Sequence, residues 1–186
     1  AEGEYVSCER YGEGHINVTY KLTMQQGEKQ VHYILQQINT RLFTDVEKLM
    51  HNIELVTSFC RKSVEKKGGD PTRECLNIVR TKEGKSYLQD GDAYFRMYAY
   101  IENAVTYQIV RNAQDFYESA VAFGNFANLL AEFDASQLYE ILPDFHNTKK
   151  RYENFKRAVE RDICGRKAQV QCEIDWMVEH SDLCGK

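Results

Sequence analysis

The chain has 186 residues, 42% of them hydrophobic and 28% charged, the balance of an ordinary soluble globular protein able to bury a sizeable core. Its net charge of −4 and isoelectric point near 5.8 argue against nucleic acid or an anionic membrane as a partner. No run approaches the roughly 18 apolar residues of a spanning helix, no signal peptide opens the chain, and the first residue is Ala1 rather than methionine, as in a trimmed chain.

The first forty residues alternate as strands, and a glycine-bearing loop interrupts them. Glu4 to Tyr11 leads into Gly12 and Gly14, His15 to Met24 follows, and Gln25-Gln26-Gly27-Glu28 turns the chain into Lys29 to Asn39. In that third strand Val31, Tyr33 and Leu35 share one face, and His32, Ile34 and Gln36 the other. Two glycines one apart between strands let backbone N–H groups approach a polyanion without a Cβ in the way. An ordinary tight turn is the plainer reading of the same residues.

A helix comes next. Thr44 and Glu47 form a capping box, and Val46, Leu49, Met50, Ile53, Val56, Cys60 and Val64 recur at helical spacing until Gly68-Gly69 ends it. After Pro71 the strand signal returns over Cys75 to Thr81, Ser86 to Leu88 and Ala93 to Ile101, with turns at Lys82 to Lys85 and Gln89 to Asp92. That gives up to five antiparallel strands and one helix by residue 101. Helices then take over. Asn112 with Asp115 caps one whose Phe116, Ala120, Phe123, Ala127 and Leu130 form a stripe. Ser136 to Leu142, Thr148 to Arg161 and Lys167 to His180 follow. The fold class is α+β, with element types segregated along the chain and a boundary near residues 103–111. The expected domains are a β-rich lobe over 1–103 and a helical one over 104–186.

Six cysteines make no C-x-x-C and match no zinc spacing, and five histidines are scattered, so no metal site is expected. The cysteines read as reduced thiols of a cytoplasmic protein, with disulfides as the lesser alternative. Cys60, on the helix stripe, reads as a small hydrophobe.

The strings Y-G-E-G-H-I-N-V-T-Y (11–20), Y-I-L-Q-Q-I-N (33–39), Y-F-R-M-Y-A-Y-I-E-N-A-V-T-Y (94–107) and P-D-F-H-N-T (143–148) resemble the N-acetylhexosamine 1-kinases of the aminoglycoside phosphotransferase and choline kinase-like superfamily. The resemblance runs from about residue 10 to about 175. It implies a protein-kinase-like small lobe, then the first helices of a large lobe, in a chain that is the N-terminal portion of a longer enzyme. The implied activity is ATP-dependent phosphorylation of the anomeric hydroxyl of N-acetylhexosamines, with ATP and Mg2+ as cofactors. Gly12, Gly14, His15, Asn17, Thr19 and Gln36 would lie at the nucleotide's phosphates. Tyr98, Ala99, Tyr100 and Ile101 would be the hinge against adenine, and Asp144, His146 and Asn147 would meet the sugar. Each has a plainer role: Asn17 and Thr19 as strand surface, Tyr98 and Tyr100 as core or edge aromatics, and 144–148 as a loop ending in an N-cap at Thr148.

Two departures from the kinase pattern stand out. The third-strand lysine that meets the α/β-phosphates is replaced by Gln36, which donates a hydrogen bond but brings no charge. Arg41 or another residue would have to compensate, and Glu54 on the helix is left as plain surface. Also, the H-x-D-x-x-x-x-N catalytic loop is incomplete: only His180-Ser181-Asp182 fits, its asparagine would fall at 187, and helical spacing runs into it. Asp182 therefore reads as a decoy, and no catalytic residue is assigned. The chain itself is expected to bind nucleotide without turnover, and a Phe116/Phe123 or Ile174/Met177 stripe left uncovered would favour self-association. The alternatives are choline, homoserine or an aminoglycoside as substrate, or a non-catalytic nucleotide-binding or interaction module.

Overall fold

The computed structural model describes residues 2–105, 107 and 109–185. Five strands form one antiparallel sheet: β1 (Glu4–Arg10), β2 (Val18–Gln26), β3 (Lys29–Gln37), β4 (Leu88–Asp90) and β5 (Ala93–Ala99), in the order β1-β2-β3-β5-β4. Two-residue turns join β2 to β3 at Gly27-Glu28 and β4 to β5 at Gly91-Asp92, one residue pair shorter than the sequence turns suggest. The register pairs Thr19 with Gln36, Gln36 with Arg96, and Ile34 with Tyr98. Because side chains alternate across a strand, Thr19, Lys21, Ile34, Gln36, Tyr94, Arg96 and Tyr98 share one face.

The second strand starts later than His15. Residues 11–17 form an irregular loop, and Ile16 is exposed in it. The segment expected as a strand over 75–81 is also different. Asp70 caps a one-turn helix, α2 (Pro71–Glu74), through its side chain and the Thr72 N–H, 2.9 Å. The Asn77 side chain then donates to the Pro71, Thr72 and Cys75 carbonyls, local bonds that compete with a ladder. What remains is a single bridge, Ile78 to Tyr98, flanked by the Val79 N–H on the Met97 carbonyl and the Ala99 N–H on the Asn77 carbonyl, both 2.9 Å. The outer edge of β5 is thus covered in two pieces, by β4 and by residues 77–79.

Helix α1 (Val46–Lys66) lies on the face that carries Tyr94, since Ile38, Val46 and Met50 form a core with Phe43, Leu49, Ile53, Tyr87 and Tyr94 around it. Its cap is Asp45, not Thr44: the helix begins one residue later, and the Asp45 carboxylate accepts from the Lys48 N–H at 3.0 Å, with the helix dipole in its favour. Gly68, at φ 75°, ends it. Bonds from the Gly68 N–H to the Glu65 carbonyl and from the Gly69 N–H to the Val64 carbonyl, both 3.0 Å, close a Schellman motif. A second core joins Cys60 and Val64 of α1 to Cys75, with Val56, Leu129 and Leu130 against it. Burial pushes both thiols above their usual range, so each behaves as the small hydrophobe its position suggests.

Helix α3 (Ala113–Leu129) is capped by Asn112, whose side chain accepts from the Asp115 N–H at 2.8 Å. Its expected stripe is not buried: Phe116 is 66% and Phe123 75% exposed. Among the described residues, α3 reaches the core at its end, through Leu129 and the cap residue Leu130. The chain then follows α1, with Phe133 edge-on to Phe59 at 5.3 Å. Asn52 holds Tyr139 through two hydrogen bonds, its amide donating to the Tyr139 carbonyl at 2.8 Å and accepting from the Tyr139 N–H at 2.9 Å.

Packing divides the chain after Ile141. The change from strands to helices falls between β5 and α3. In the second unit, α4 (Thr148–Arg161) is followed by a 3-10 turn (Lys167–Val170), α5 (Gln171–Glu179) and a last 3-10 turn (Ser181–Gly185). The first turn of the helix expected from Lys167 is therefore 3-10, and Ile174 of α5 is buried. No helix among the described residues is long and apolar enough to cross a membrane.

Candidate functional site

The loop over 11–17 is closed at its base by the Tyr11 N–H on the Thr19 carbonyl, 2.9 Å. Its return leg is pinned to the end of β3 by the Asn39 N–H donating to the Asn17 side-chain oxygen at 3.0 Å. Gly12 takes φ 72°, which a side chain would strain. A Cβ added at Gly12 or Gly14 would meet nothing within 4 Å, so the loop is not packed against protein there. Gly12, Gly14 and His15 are exposed. Asn17 has a structural role through its oxygen.

Beside this loop the α1-bearing face of the sheet is polar. Gln36 is its hub. The Gln36 amide donates to the Thr19 hydroxyl at 2.9 Å, and its oxygen accepts from Arg96 Nε and Nη2, both 3.1 Å, and from the Tyr98 hydroxyl at 3.3 Å. The Arg96 guanidinium also lies over the Tyr98 ring, 5.3 Å from its centre. Burial pushes the Tyr98 phenol up to about 12, against the attraction of Arg96. Burial likewise lowers the Arg96 pKa, with Tyr98 opposing. Among the described residues no carboxylate pairs with Arg96.

The hinge residues follow directly. Tyr98 is buried, and the Tyr100 ring is held by the Tyr11 and His32 rings, each 5.9 Å away, and by Lys21 Nζ at 4.3 Å. His32 Nδ1 in turn meets Glu102 at 2.5 Å. The Ala99 N–H is committed to Asn77, and the Tyr100 N–H to the His32 carbonyl at 3.1 Å. Of the four hinge residues, Ile101 is the one after Tyr98 whose N–H this pairing does not use.

Glu54 is not plain helix surface. It pairs with Arg80 at 2.8 Å. Against the cost of burial, hydrogen bonds from Ser86 and Arg80 hold its carboxyl below the usual range. Its partner thus comes from the loop before β4, not from β3. The pair lines a cleft of about 470 Å³ with Glu47, His51, Ser86 and Tyr87. Arg41, the other expected source of charge, lies in the exposed turn after β3, its N–H on the Asn39 side-chain oxygen at 3.1 Å.

Asp144, His146 and Asn147 come together in the second unit as the turn that starts α4. The cap is Asn147, not Thr148: its side-chain oxygen accepts from the Lys150 N–H at 2.9 Å, and Thr148 is already helical. Asp144, at φ 61°, accepts from Lys150 Nζ at 2.6 Å and from the Asn147 amide at 3.0 Å. Those two bonds, led by Lys150, lower its pKa. The His146 ring stands edge-on to Phe145, 4.5 Å between centres. Asp182 lies in the 3-10 turn after α5, a helical rather than extended setting.

Sequence reasoning passed over Arg96. The signal was present: one arginine in the string A-Y-F-R-M-Y-A, in step with Tyr94 and Tyr98 and so on the inward face. Lys21 and His32, both against Tyr100, were passed over in the same way.

The chain is therefore an α+β protein whose five-stranded antiparallel sheet carries an open glycine loop beside a polar, part-buried face. No protein-family model matches it. Among solved structures it is similar to a spectinomycin phosphotransferase crystallised in complex with ADP and spectinomycin, with TM-score 0.49 and 12% sequence identity. That match covers 96% of this chain and 51% of the other, so the chain spans about half the length of the phosphotransferase.

Proposed function

We propose that this chain carries the nucleotide-binding half of an ATP-dependent small-molecule kinase. The observation that carries the proposal is the glycine loop: Gly12 and Gly14 stand open beside the Thr19–Gln36–Tyr98 face. The connectivity supports it too, with a glycine loop between the first two strands and a long helix after the third. Phosphoryl transfer rests on positioning and electrostatics. The loop's N–H groups would cover the phosphates, the Ile101 N–H of the hinge would meet the base, and Thr19 and Gln36 would set the polar floor between them.

The substrate class follows from the resemblance of the sequence strings: a free N-acetylhexosamine, phosphorylated at its anomeric hydroxyl. Asp144, His146 and Asn147 offer the groups that grip hydroxyl and acetamido functions, and the same turn is compatible with an aminoglycoside or amino alcohol. A cytoplasmic setting belongs to the same proposal. Mg2+ would bridge the phosphates in such a reaction, but among the described residues no three His, Cys, Asp or Glu side chains converge to hold a metal. Nor is a general base assigned. These 186 residues are expected to bind nucleotide without forming sugar phosphate.

Titration calorimetry with ADP tests the central point. Gly14→Val is the informative variant, because its Cβ meets no protein atom and its backbone is not in the left-handed region. The expected outcome is unchanged thermal stability with ADP affinity lowered about tenfold, the scale of losing one charge-assisted contact. A wild-type chain that binds no ADP, or a variant that binds it equally well, would overturn the proposal.

A further inference from the structure

The third strand presents a neutral glutamine, Gln36, where a nucleotide site of this kind needs positive charge, and among the described residues no carboxylate pairs with the arginine beside it. We propose that Arg96 supplies the phosphate-facing charge of the site from the fifth strand, with Gln36 as its positioning residue and a nucleoside di- or triphosphate as the ligand. This rests on the nucleotide reading above and goes beyond it in naming the group that does the lysine's work.

A cation withdrawn from water is costly unless something compensates it. The ion pairs formed by lysine and arginine among the described residues use Lys48, Arg61, Arg80, Arg111 and Lys150, each with an exposed side chain. Arg96 is more buried than any of these and is in none of them. Its Nε and Nη2 share one neutral acceptor, the Gln36 oxygen, at 3.1 Å each. Guanidinium has five N–H donors in a planar fork that suits two oxygens of a phosphate. The bonds to Gln36 leave most of that fork unspent. Tyr98 does not balance the charge, because burial keeps its phenol protonated up to about 12. Its ring and hydroxyl instead hold the guanidinium and the Gln36 oxygen in place.

Position points to phosphate. Gln36 is tied to the Thr19 hydroxyl at 2.9 Å, and the Thr19 carbonyl is what closes the base of the glycine loop. The chain of contacts Arg96–Gln36–Thr19 therefore runs across three neighbouring strands to the loop that would cover the phosphates. A glutamine at position 36 is then suited to its place: it accepts from the arginine on one side and donates to the loop stem on the other, which a lysine could not do.

The test compares ADP with adenosine, which carries the base and sugar but no phosphate, by calorimetry on the full chain. Wild type is expected to favour ADP. Arg96→Gln should lower ADP affinity about tenfold or more and leave adenosine unchanged. Arg96→Lys should keep part of the preference, and Arg96→Gln with Gln36→Lys should regain it. An ADP-to-adenosine ratio in Arg96→Gln equal to that of wild type would overturn the proposal and leave Arg96 a packing residue. Wild type binding both ligands equally would overturn it while sparing the nucleotide site. Wild type binding neither would remove both. Should Arg96→Gln fail to melt cooperatively, Gln36→Met replaces it: it keeps the cation but deletes its acceptor, and the ratio should fall about threefold, an unchanged ratio again counting against Arg96.

Discussion

Met50 is 1% exposed, the most enclosed large side chain in the sheet-and-helix core. It sits where α1, Ile38 just past the end of β3 and the Tyr87/Tyr94 pair meet. Replacing it with alanine removes side-chain atoms packed among Ile38, Val46 and the surrounding partly buried residues, leaving a cavity wherever these neighbours do not close in. The expected cost for Met50→Ala is about 2–4 kcal/mol, read as a lower urea midpoint at unchanged slope. A loss under about 1 kcal/mol would mean that the site collapses around the deletion. Gln36 makes the opposite point at the same scale. Its identity looks like a defect when read along the strand, yet it makes four hydrogen bonds across β2, β3 and β5.

At the scale of elements, side-chain hydrogen bonds decide where regular structure starts and stops. Asp45 and Asn147 move two helix caps by one residue each from the positions that sequence motifs suggest, because the nearest side-chain oxygen with the right reach takes the orphan N–H. Asn77 spends its amide on three carbonyls and reduces a whole expected strand to one bridge. Asn52 does the reverse and recruits irregular chain to a helix. Its paired bonds to Tyr139, with Lys48 over that ring at 5.5 Å, hold residues 133–141 along α1. In Asn52→Ala, amide exchange at 138–141 should speed by about tenfold while global stability falls by only about 1–2 kcal/mol. Equal protection in variant and wild type would show that Phe133 and Leu130 suffice to hold the segment.

At the scale of the whole molecule, the main feature among the described residues is an exposed apolar helix face. Phe116, Tyr117, Phe123 and Phe126 of α3 are all more than half exposed, an arrangement that usually marks an interaction surface. The chain should therefore bind a hydrophobic dye, and Phe116→Glu with Phe123→Glu should abolish most of the signal without lowering the melting temperature. Dye binding that survives both substitutions would assign the signal to another surface, such as the cavity of about 600 Å³ between α4 and α5 lined by Phe155, Val159, Ile163 and Ile174.

The sequence alone determined what depends on near neighbours: the β2–β3 and β4–β5 hairpins from their glycine turns, α1 from its 3.6-residue stripe and Gly68, and the open loop from Gly12 and Gly14. Those follow from backbone conformation and periodicity, which a window of ten or twenty residues contains. The tertiary structure decided the rest. Arg96 reaches Gln36 across 60 residues of sequence, and Gln36 reaches Thr19 across 17, so their cluster exists only once β2, β3 and β5 lie side by side in register. Which apolar stripe is covered was likewise beyond local pattern: the stripes of α1 and α3 read alike in sequence, yet one meets a sheet and the other meets solvent. Periodicity says that a face is apolar, and only long-range packing says what, if anything, lies against it.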